Sequence, residues 1–212
     1  MTKCPCPDGS YERALFDAGN ETIAGIDEVG RGAWAGPLAV GVVVLTKALL
    51  ASMPAGVRDS KQLTALARMR LYSPLAQNVT AYAIGFASSD ECDTLGMTAA
   101  QEIAARRALD GLRISPDAII VDGPRDFTKR REAITLVRGD QRSLVVAAAS
   151  ILAKVTRDRL MVALAATYPP YGFERNKGYA SVEHRQAVMD FGLTSIHRKS
   201  WSVAALASRG DA

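Results

Sequence analysis

Two apolar segments near the start of the chain limit the folds that this sequence can adopt. Residues 23–28 are largely apolar up to their last two positions, and residues 37–45 are dense in β-branched valine. Such side chains favour the extended backbone of a sheet, and glycines between the two segments allow a tight connection. We therefore predict two neighbouring strands at the beginning of the fold.

After these segments the pattern alternates between strand-like and helical stretches. Further strands are predicted at residues 79–87, 118–121 and 134–137. Helical spacing of apolar residues predicts helices at residues 11–18, 64–77, 98–112, 143–168 and 181–191. Thr64 and Ser181 are suited to cap the helices that they precede. This order favours an α/β layered domain with a helical C-terminal portion.

Size and composition exclude several classes of protein. The 212 residues are 48% hydrophobic and 23% charged, which suits one soluble domain with its own core. Cys4-Pro-Cys6 has no second Cys or His pair at zinc spacing, so we expect no structural zinc. We find neither a secretory signal nor an apolar stretch of ~20 residues. We therefore expect a cytoplasmic protein that does not enter a membrane.

Four acidic side chains stand where apolar segments end or where a helix begins. Asp27 and Glu28 close the first strand, Asp122 closes a later one, and Asp140 precedes the long helix. Taken singly, each has a plain structural interpretation as an exposed strand end, a turn or a helix cap. Brought together, the four would repel one another, so some would stay protonated unless a cation is bound. Oxygen ligands suit Mg²⁺ or Mn²⁺, and two such ions about 3.5–4 Å apart can act on a phosphodiester.

Asp27 and Glu28 pose a geometric difficulty for this interpretation. Neighbouring residues on a strand point to opposite faces of the sheet. For both acids to reach one metal centre, the strand must twist or end near Val29-Gly30.

Basic and aromatic residues are placed where they could meet a polyanion. The chain has 26 basic and 22 acidic residues, and this net charge of +4 permits such a partner without requiring one. Lys61 lies in a predicted loop, and Lys154 and Arg157 share one face of the long helix. Lys177 and Tyr179 lie in a basic loop that could place a ring against a base or sugar. The alternative for Lys61 is a solvated lysine in a turn. For Lys154 and Arg157 it is a helix surface whose charges pair with one another, and for Tyr179 it is a tyrosine packed in a helix connector.

The order of these motifs resembles that of bacterial ribonuclease HII, over roughly residues 23–202. The shared segments include Gly25-Ile-Asp-Glu-Val-Gly-Arg-Gly32, Asp59-Ser-Lys61, Val121-Asp-Gly123, Gly139-Asp140, Ala147-Ala-Ala-Ser-Ile-Leu-Ala-Lys-Val-Thr-Arg-Asp158, Tyr168-Pro-Pro-Tyr-Gly-Phe173, Lys177-Gly-Tyr179, Glu183-His184 and Ile196-His-Arg198. Each motif alone is weak, but the ordered set is specific. The related ribonuclease HIII carries an additional N-terminal domain, for which the 22 residues before Ile23 leave little room.

The resemblance implies a ribonuclease H-like α/β fold, with a mixed five-stranded sheet flanked by helices and a helical C-terminal extension. It divides the chain into an N-terminal tail (residues 1–22), a catalytic domain (23–168) and a C-terminal extension packed on that domain (169–212). Its catalytic and metal-binding residues correspond to Asp27, Glu28, Asp122 and Asp140. Its substrate-binding residues correspond to Gly30, Arg31 and Gly32, which read the ribose 2′-hydroxyl. Tyr179 corresponds to a residue that stacks near the next sugar, and Lys61 to one that meets a phosphate. We add Lys177 from the basic loop.

The activity implied by the resemblance is hydrolysis of the RNA strand of RNA–DNA hybrids, together with cutting 5′ of single ribonucleotides in duplex DNA. Two Mg²⁺ or Mn²⁺ ions would leave 5′-phosphate and 3′-hydroxyl ends, and the biological role would be ribonucleotide excision and RNA primer removal. We expect a monomer, and residues 201–212 contain no clear peptide for binding a sliding clamp. A junction resolvase of related fold would use similar carboxylates, and a non-catalytic nucleic-acid binder would need only the basic loop.

Overall fold

A five-stranded mixed sheet forms the centre of the fold. The computed structural model describes residues 6–201 and residue 204. The strands are β1 (Thr22–Val29), β2 (Leu38–Thr46), β3 (Ala81–Ala87), β4 (Ala118–Asp122) and β5 (Ala133–Leu136), and they lie in the order β3-β2-β1-β4-β5. The first three pair antiparallel, whereas β4 and β5 run parallel to β1. The predicted pair of neighbouring strands is confirmed as β1 and β2.

Helices cover both faces of this sheet. They are α1 (Ser10–Asp17), α2 (Lys47–Leu50), α3 (Ala65–Gln77), α4 (Ser89–Asp110), α5 (Gly139–Arg142), α6 (Leu144–Ala165), α7 (Phe173–Asn176) and α8 (Val182–Phe191), with short 3₁₀ turns at Ser60–Gln62 and Pro169–Tyr171. Helix α6 packs on one face and α4 on the other, each over its own apolar core. Within the part of the chain that the structure describes, no helix is long and apolar enough to cross a membrane.

The predicted helix caps at Thr64 and Ser181 are confirmed. Their hydroxyl oxygens accept hydrogen bonds from the backbone N–H groups of Ala67 and His184, at 3.2 and 3.0 Å. Each cap supplies a partner for a backbone donor that the first turn of a helix leaves unpaired.

Helix α4 begins nine residues earlier than the predicted start at residue 98. Gly96 has φ of 80°, so two helical segments meet there at a kink, and this break disrupts the apolar spacing. The sequence does carry a signal for the earlier start, because Ser88 and Glu91 form a reciprocal capping box.

Helix α1 is anchored to the start of α6 by a buried carboxylate. The Oε1 atom of Glu12 accepts hydrogen bonds from the Ser143 hydroxyl at 2.5 Å and from the backbone N–H of Val145 at 3.0 Å. Phe16 of the same helix lies in the core beneath α6. The N-terminal segment therefore packs against the sheet domain. The division of the chain into a tail, a catalytic domain and a C-terminal extension at residues 22 and 168 stays a prediction.

The alternation of side chains along β1 determines where its two terminal acids point. Gly25 faces α6 so closely that a Cβ atom there would lie 2.4 Å from the backbone carbon of Val145. Ala24 and Ile26 face the other core, which contains residues of α4. By the same alternation, Asp27 lies on the α6 side of the sheet and Glu28 on the α4 side.

Candidate active site

Three carboxylates meet at the carboxyl ends of two neighbouring parallel strands. Asp27 and Glu28 lie just before Val29, the last residue of β1, and Asp122 ends β4, whose register places Val121 beside Ile26. One carboxylate oxygen from each of the three acids lies within 4.8 Å of the other two. Glu28 reaches the same point from the opposite face because the pairing of β1 with β4 stops at Ile26 and Val121 and β1 itself ends at Val29. This resolves the difficulty posed by two adjacent strand residues.

Burial and mutual repulsion disfavour the ionised form of these acids. Asp27 is only 4% exposed. Its burial, and then the charges of Glu28 and Asp122, raise its pKa well above the usual value. Burial, and then the charge of Asp122, also raise the pKa of Glu28. A set of converging carboxylate oxygens that resists ionisation fits a divalent cation such as Mg²⁺ or Mn²⁺, which would neutralise the repulsion.

Asp140 lies beside this group but outside the set of three. It is buried at the start of α5, and its Oδ2 atom lies 3.8 Å from the ammonium nitrogen of Lys61. Burial, followed by the charges of Asp122 and Asp59, raises the pKa of Asp140 to about 6. The structure thus brings Asp140 and Lys61 to the edge of the carboxylate cluster.

Asp59 is a site residue that the sequence reasoning missed. Its buried carboxylate accepts hydrogen bonds from the backbone N–H of Lys61 at 2.8 Å and from the side-chain amide of Gln141 at 3.3 Å. It therefore fixes the turn that carries Lys61 and adds a negative charge close to Asp140. Asp59 was visible in the Asp59-Ser60-Lys61 motif, but nothing in the sequence shows that it is buried.

The loop formed by Gly30, Arg31 and Gly32 borders the carboxylates, and the buried Arg198 holds its backbone. Arg198 donates hydrogen bonds to the carbonyls of Gly30 and Arg31, at 2.7 and 2.8 Å. Gly30 has φ of 87°, and a Cβ atom there would lie 2.2 Å from Nε of Arg157. The space around Gly32 is open. The loop thus has an anchored backbone with one glycine facing inward and one facing solvent.

A second loop places Tyr179 on the other side of the same cleft. The cleft is lined by Asp27, Glu28, Val29, Gly30, Arg31, Gly32, Ser60, Lys61, Lys154 and Tyr179. The ring of Tyr179 lies 5.4 Å from the ammonium of Lys154 and 5.4 Å from the guanidinium carbon of Arg157. Lys177 is not part of this lining; its ammonium donates to the carbonyl of Glu174 in its own loop.

The predicted polar face of α6 is only partly present. Lys154 pairs with Asp158 at 2.8 Å and lines the cleft. Arg157 is fully buried, and its guanidinium donates hydrogen bonds to the carbonyls of Pro37, Lys177 and Ala35. Arg157 therefore connects the two loops from beneath the cleft, so the interpretation as a surface residue was wrong.

Comparison with known proteins gives a consistent result. A family model described as Ribonuclease HII matches residues 24–204. The chain is 45% identical over 198 residues to Ribonuclease HII of Streptomyces avermitilis, which covers 92% of this chain and 84% of that protein. It is also 45% identical over 199 residues to Ribonuclease HII of Paracoccus denitrificans, which covers 92% of each.

Solved structures share the fold. Ribonuclease H2 from Pyrococcus horikoshii OT3 has a TM-score of 0.76 and 31% identity, covering 90% of this chain and 99% of that one. RNase HII of Archaeoglobus fulgidus, solved in complex with PCNA, has a TM-score of 0.71 and 25% identity, covering 85% of this chain and 95% of that one. Bst-RNase HIII, solved with Mn²⁺, has a TM-score of 0.74 at 20% identity, covering 92% and 72%. The predicted ribonuclease H-like fold is confirmed.

Proposed function

The chain belongs to the ribonuclease HII family and is therefore a ribonuclease H endoribonuclease, and from that premise we propose that it cuts both RNA–DNA hybrids and duplex DNA at embedded ribonucleotides. The cut falls 5′ of a single ribonucleotide and leaves 5′-phosphate and 3′-hydroxyl ends. The observation that carries this proposal is the convergence of Asp27, Glu28 and Asp122 within 4.8 Å, directly beside an anchored glycine-rich loop.

Different residues around the cleft contact different parts of the substrate. The backbone of Gly30, Arg31 and Gly32 hydrogen-bonds the ribose 2′-hydroxyl. Arg198 fixes this backbone in advance through the carbonyls of Gly30 and Arg31. Tyr179 stacks against the neighbouring sugar. The side chain of Lys61 is 76% exposed and so is available to a phosphate. Lys177 stays a proposed substrate-binding residue, although its ammonium is bonded to the carbonyl of Glu174 and does not line the cleft.

Asp27, Glu28 and Asp122 would hold divalent metal, with Asp140 completing the set. Bound there, two Mg²⁺ or Mn²⁺ ions would supply an activated water and stabilise the leaving 3′ oxygen. The protein contributes the fixed carboxylates, of which Asp122 is oriented by the backbone N–H of Gly139 at 2.6 Å. Lys61 offsets negative charge beside Asp140.

Cleavage of a duplex with one embedded ribonucleotide tests the proposed function. In Mg²⁺ or Mn²⁺ we expect a single cut 5′ of the ribonucleotide. The matched all-DNA duplex should be cut at least ~10⁴-fold more slowly, because a site built to bond a hydroxyl discriminates strongly against its absence. Equal cutting of both duplexes would refute the specificity. Cutting of branched DNA alone would indicate a resolvase, and metal-independent binding without cleavage would indicate a binding protein.

Replacing Asp122 with asparagine is expected to weaken metal binding without loss of the fold. The asparagine carbonyl can still accept the hydrogen bond from Gly139, but it supplies a neutral ligand. In thermal unfolding, saturating Mn²⁺ at 100 times its Kd should stabilise the wild-type protein by about 2.7 kcal/mol, and the variant clearly less at the same concentration. An equal response of the two proteins would exclude Asp122 as a ligand.

The interaction partners and the cellular location of the protein stay predictions. The Archaeoglobus fulgidus relative is known in complex with PCNA. The absence of a clamp-binding peptide in residues 201–212 stays a prediction, because most of that segment lies outside the described residues. Cys4 also lies outside them, so the prediction of no structural zinc is untested. The monomeric state and the cytoplasmic location likewise remain predictions.

A further inference from the structure

We infer that His184 is a positioning residue for Tyr179, and that His197 fixes the tautomer in which His184 does this. The inference rests on the proposed function, in which Tyr179 stacks against the substrate. It concerns two fully buried histidines that lie outside the cleft lining.

A continuous chain of hydrogen bonds leads from a backbone amide to the Tyr179 carbonyl. The backbone N–H of Thr194 donates to Nδ1 of His197 at 3.0 Å. Nε2 of His197 lies 3.0 Å from Nε2 of His184. Nδ1 of His184 lies 2.9 Å from the carbonyl oxygen of Tyr179.

The direction of this chain is determined by its two ends. A backbone N–H can only donate, so Nδ1 of His197 must accept and its proton must lie on Nε2. That N–H then donates to Nε2 of His184, which leaves the proton of His184 on Nδ1. A carbonyl can only accept, and Nδ1 of His184 donates to it. Burial lowers the pKa of both imidazoles, that of His197 to about 4, so both rings are neutral near pH 7.

The backbone before Tyr179 is unusual, and its carbonyls are held by the residues around the loop. Lys177 and Gly178 both have positive φ, of 54° and 82°, so the chain turns sharply just before the ring. The carbonyl of Lys177 accepts from Arg157, and that of Gly178 accepts from the backbone N–H of Trp34. The third successive carbonyl, that of Tyr179, accepts from Nδ1 of His184 and from the backbone N–H of Ser181, both at 2.9 Å. Of these two bonds, the one from His184 ties the loop to the buried histidine pair.

The surroundings of His184 allow a test that preserves packing. The ring contacts Trp34, Tyr171 and Phe173, with centroids 5.7, 6.2 and 5.3 Å away. Phenylalanine can therefore occupy the site while lacking the donor. Asparagine carries an amide donor near the position of Nδ1 and serves as the conservative variant.

A double-mutant cycle on the embedded-ribonucleotide duplex separates positioning from a general structural role. Tyr179→Ala should lower kcat/KM by about 10-fold or more, as expected for loss of a stacking ring. His184→Phe should cause a similar loss, and His184→Asn should restore part of it. The double variant that combines His184→Phe with Tyr179→Ala should be no worse than Tyr179→Ala alone, within about twofold. Multiplying losses, or no loss with either single variant, would overturn the inference.

A second measurement is independent of activity and of any variant that fails to fold. The chain has two histidines, so their imidazole ¹⁵N signals can be assigned in protein without a histidine tag. We expect the Nδ1–H tautomer for His184 and the Nε2–H tautomer for His197 at pH 7. Any other pair of tautomers would overturn the inference. Absence of cleavage by the wild-type protein would instead refute the proposed function. The tautomers would still show whether the series of hydrogen bonds from Thr194 to Tyr179 exists.

Discussion

Replacing Asp27 with asparagine is expected to abolish most cleavage while raising the temperature at which the metal-free protein unfolds. Asp27 is buried next to Glu28 and Asp122, and burial and their charges raise its pKa well above the usual value. Ionising Asp27 is therefore harder in the folded protein than in the unfolded chain, and this difference lowers the stability of the metal-free protein as the pH rises. Asparagine has nearly the same volume and cannot ionise, and each 1 kcal/mol of stability regained should raise Tm by about 2–4 °C.

The gain in stability should depend on pH in a defined direction. A carboxyl whose pKa is raised by folding contributes stability that is fully present below its unfolded-state pKa and is lost as the pH rises through its folded-state pKa. Asp27 has this sign, since its pKa lies well above 3.8 in the folded protein. The difference in Tm between Asp27→Asn and the wild type, measured in EDTA, should vanish near pH 4 and grow toward pH 8.

The same substitution should cost activity because Asp27 is a proposed metal ligand at the centre of the cluster. We expect kcat/KM on the embedded-ribonucleotide duplex to fall by about 10³-fold or more, in line with the loss of a principal charge-stabilising group. Asp17→Asn is a control for the chemical change, because Asp17 is exposed and forms an ion pair with the equally exposed Lys47. An Asp27→Asn protein that cleaves normally, or that is less stable without metal, would contradict the assignment.

The sequence was sufficient for the strands and for most helices because their periodic patterns are local. The valine-rich run became β2, and Thr64 and Ser181 cap helices as their side chains suggest. Helix α4 shows the limit of this approach. Its first segment lies before Gly96, where the helical dihedrals break, so the apolar spacing is out of phase with the rest.

The site was less predictable, because its geometry depends on contacts between distant parts of the chain. Asp27 and Glu28 point to opposite faces by local rules, and both meet Asp122 where the pairing of β1 with β4 stops after Ile26. Arg157 looked like a surface residue on an exposed helical face. It is buried because the loops that hold Pro37 and Lys177 fold over it and offer their carbonyls.

Gly30→Ala is expected to destabilise the protein strongly, whereas Gly32→Ala should leave its stability unchanged. Gly30 has φ of 87°, a conformation that costs alanine roughly 1–2 kcal/mol. A Cβ atom would also lie 2.2 Å from Nε of Arg157. Arg157 cannot move without leaving buried carbonyls unpaired, at about 1–3 kcal/mol each. We therefore expect a loss of about 3 kcal/mol or more, seen as a Tm lower by about 6–12 °C.

Gly32 is the matched control because it lies two residues away in the same loop. Its φ is not positive, and a Cβ atom there would meet nothing within 4 Å. A methyl group at Gly32 would instead occupy the open space through which a ribose approaches the loop. Gly32→Ala should therefore lower kcat/KM on the embedded-ribonucleotide duplex with Tm unchanged. Full activity of Gly32→Ala would remove Gly32 from the substrate interface, and a Gly30→Ala protein as stable as the wild type would show that Arg157 is free to move.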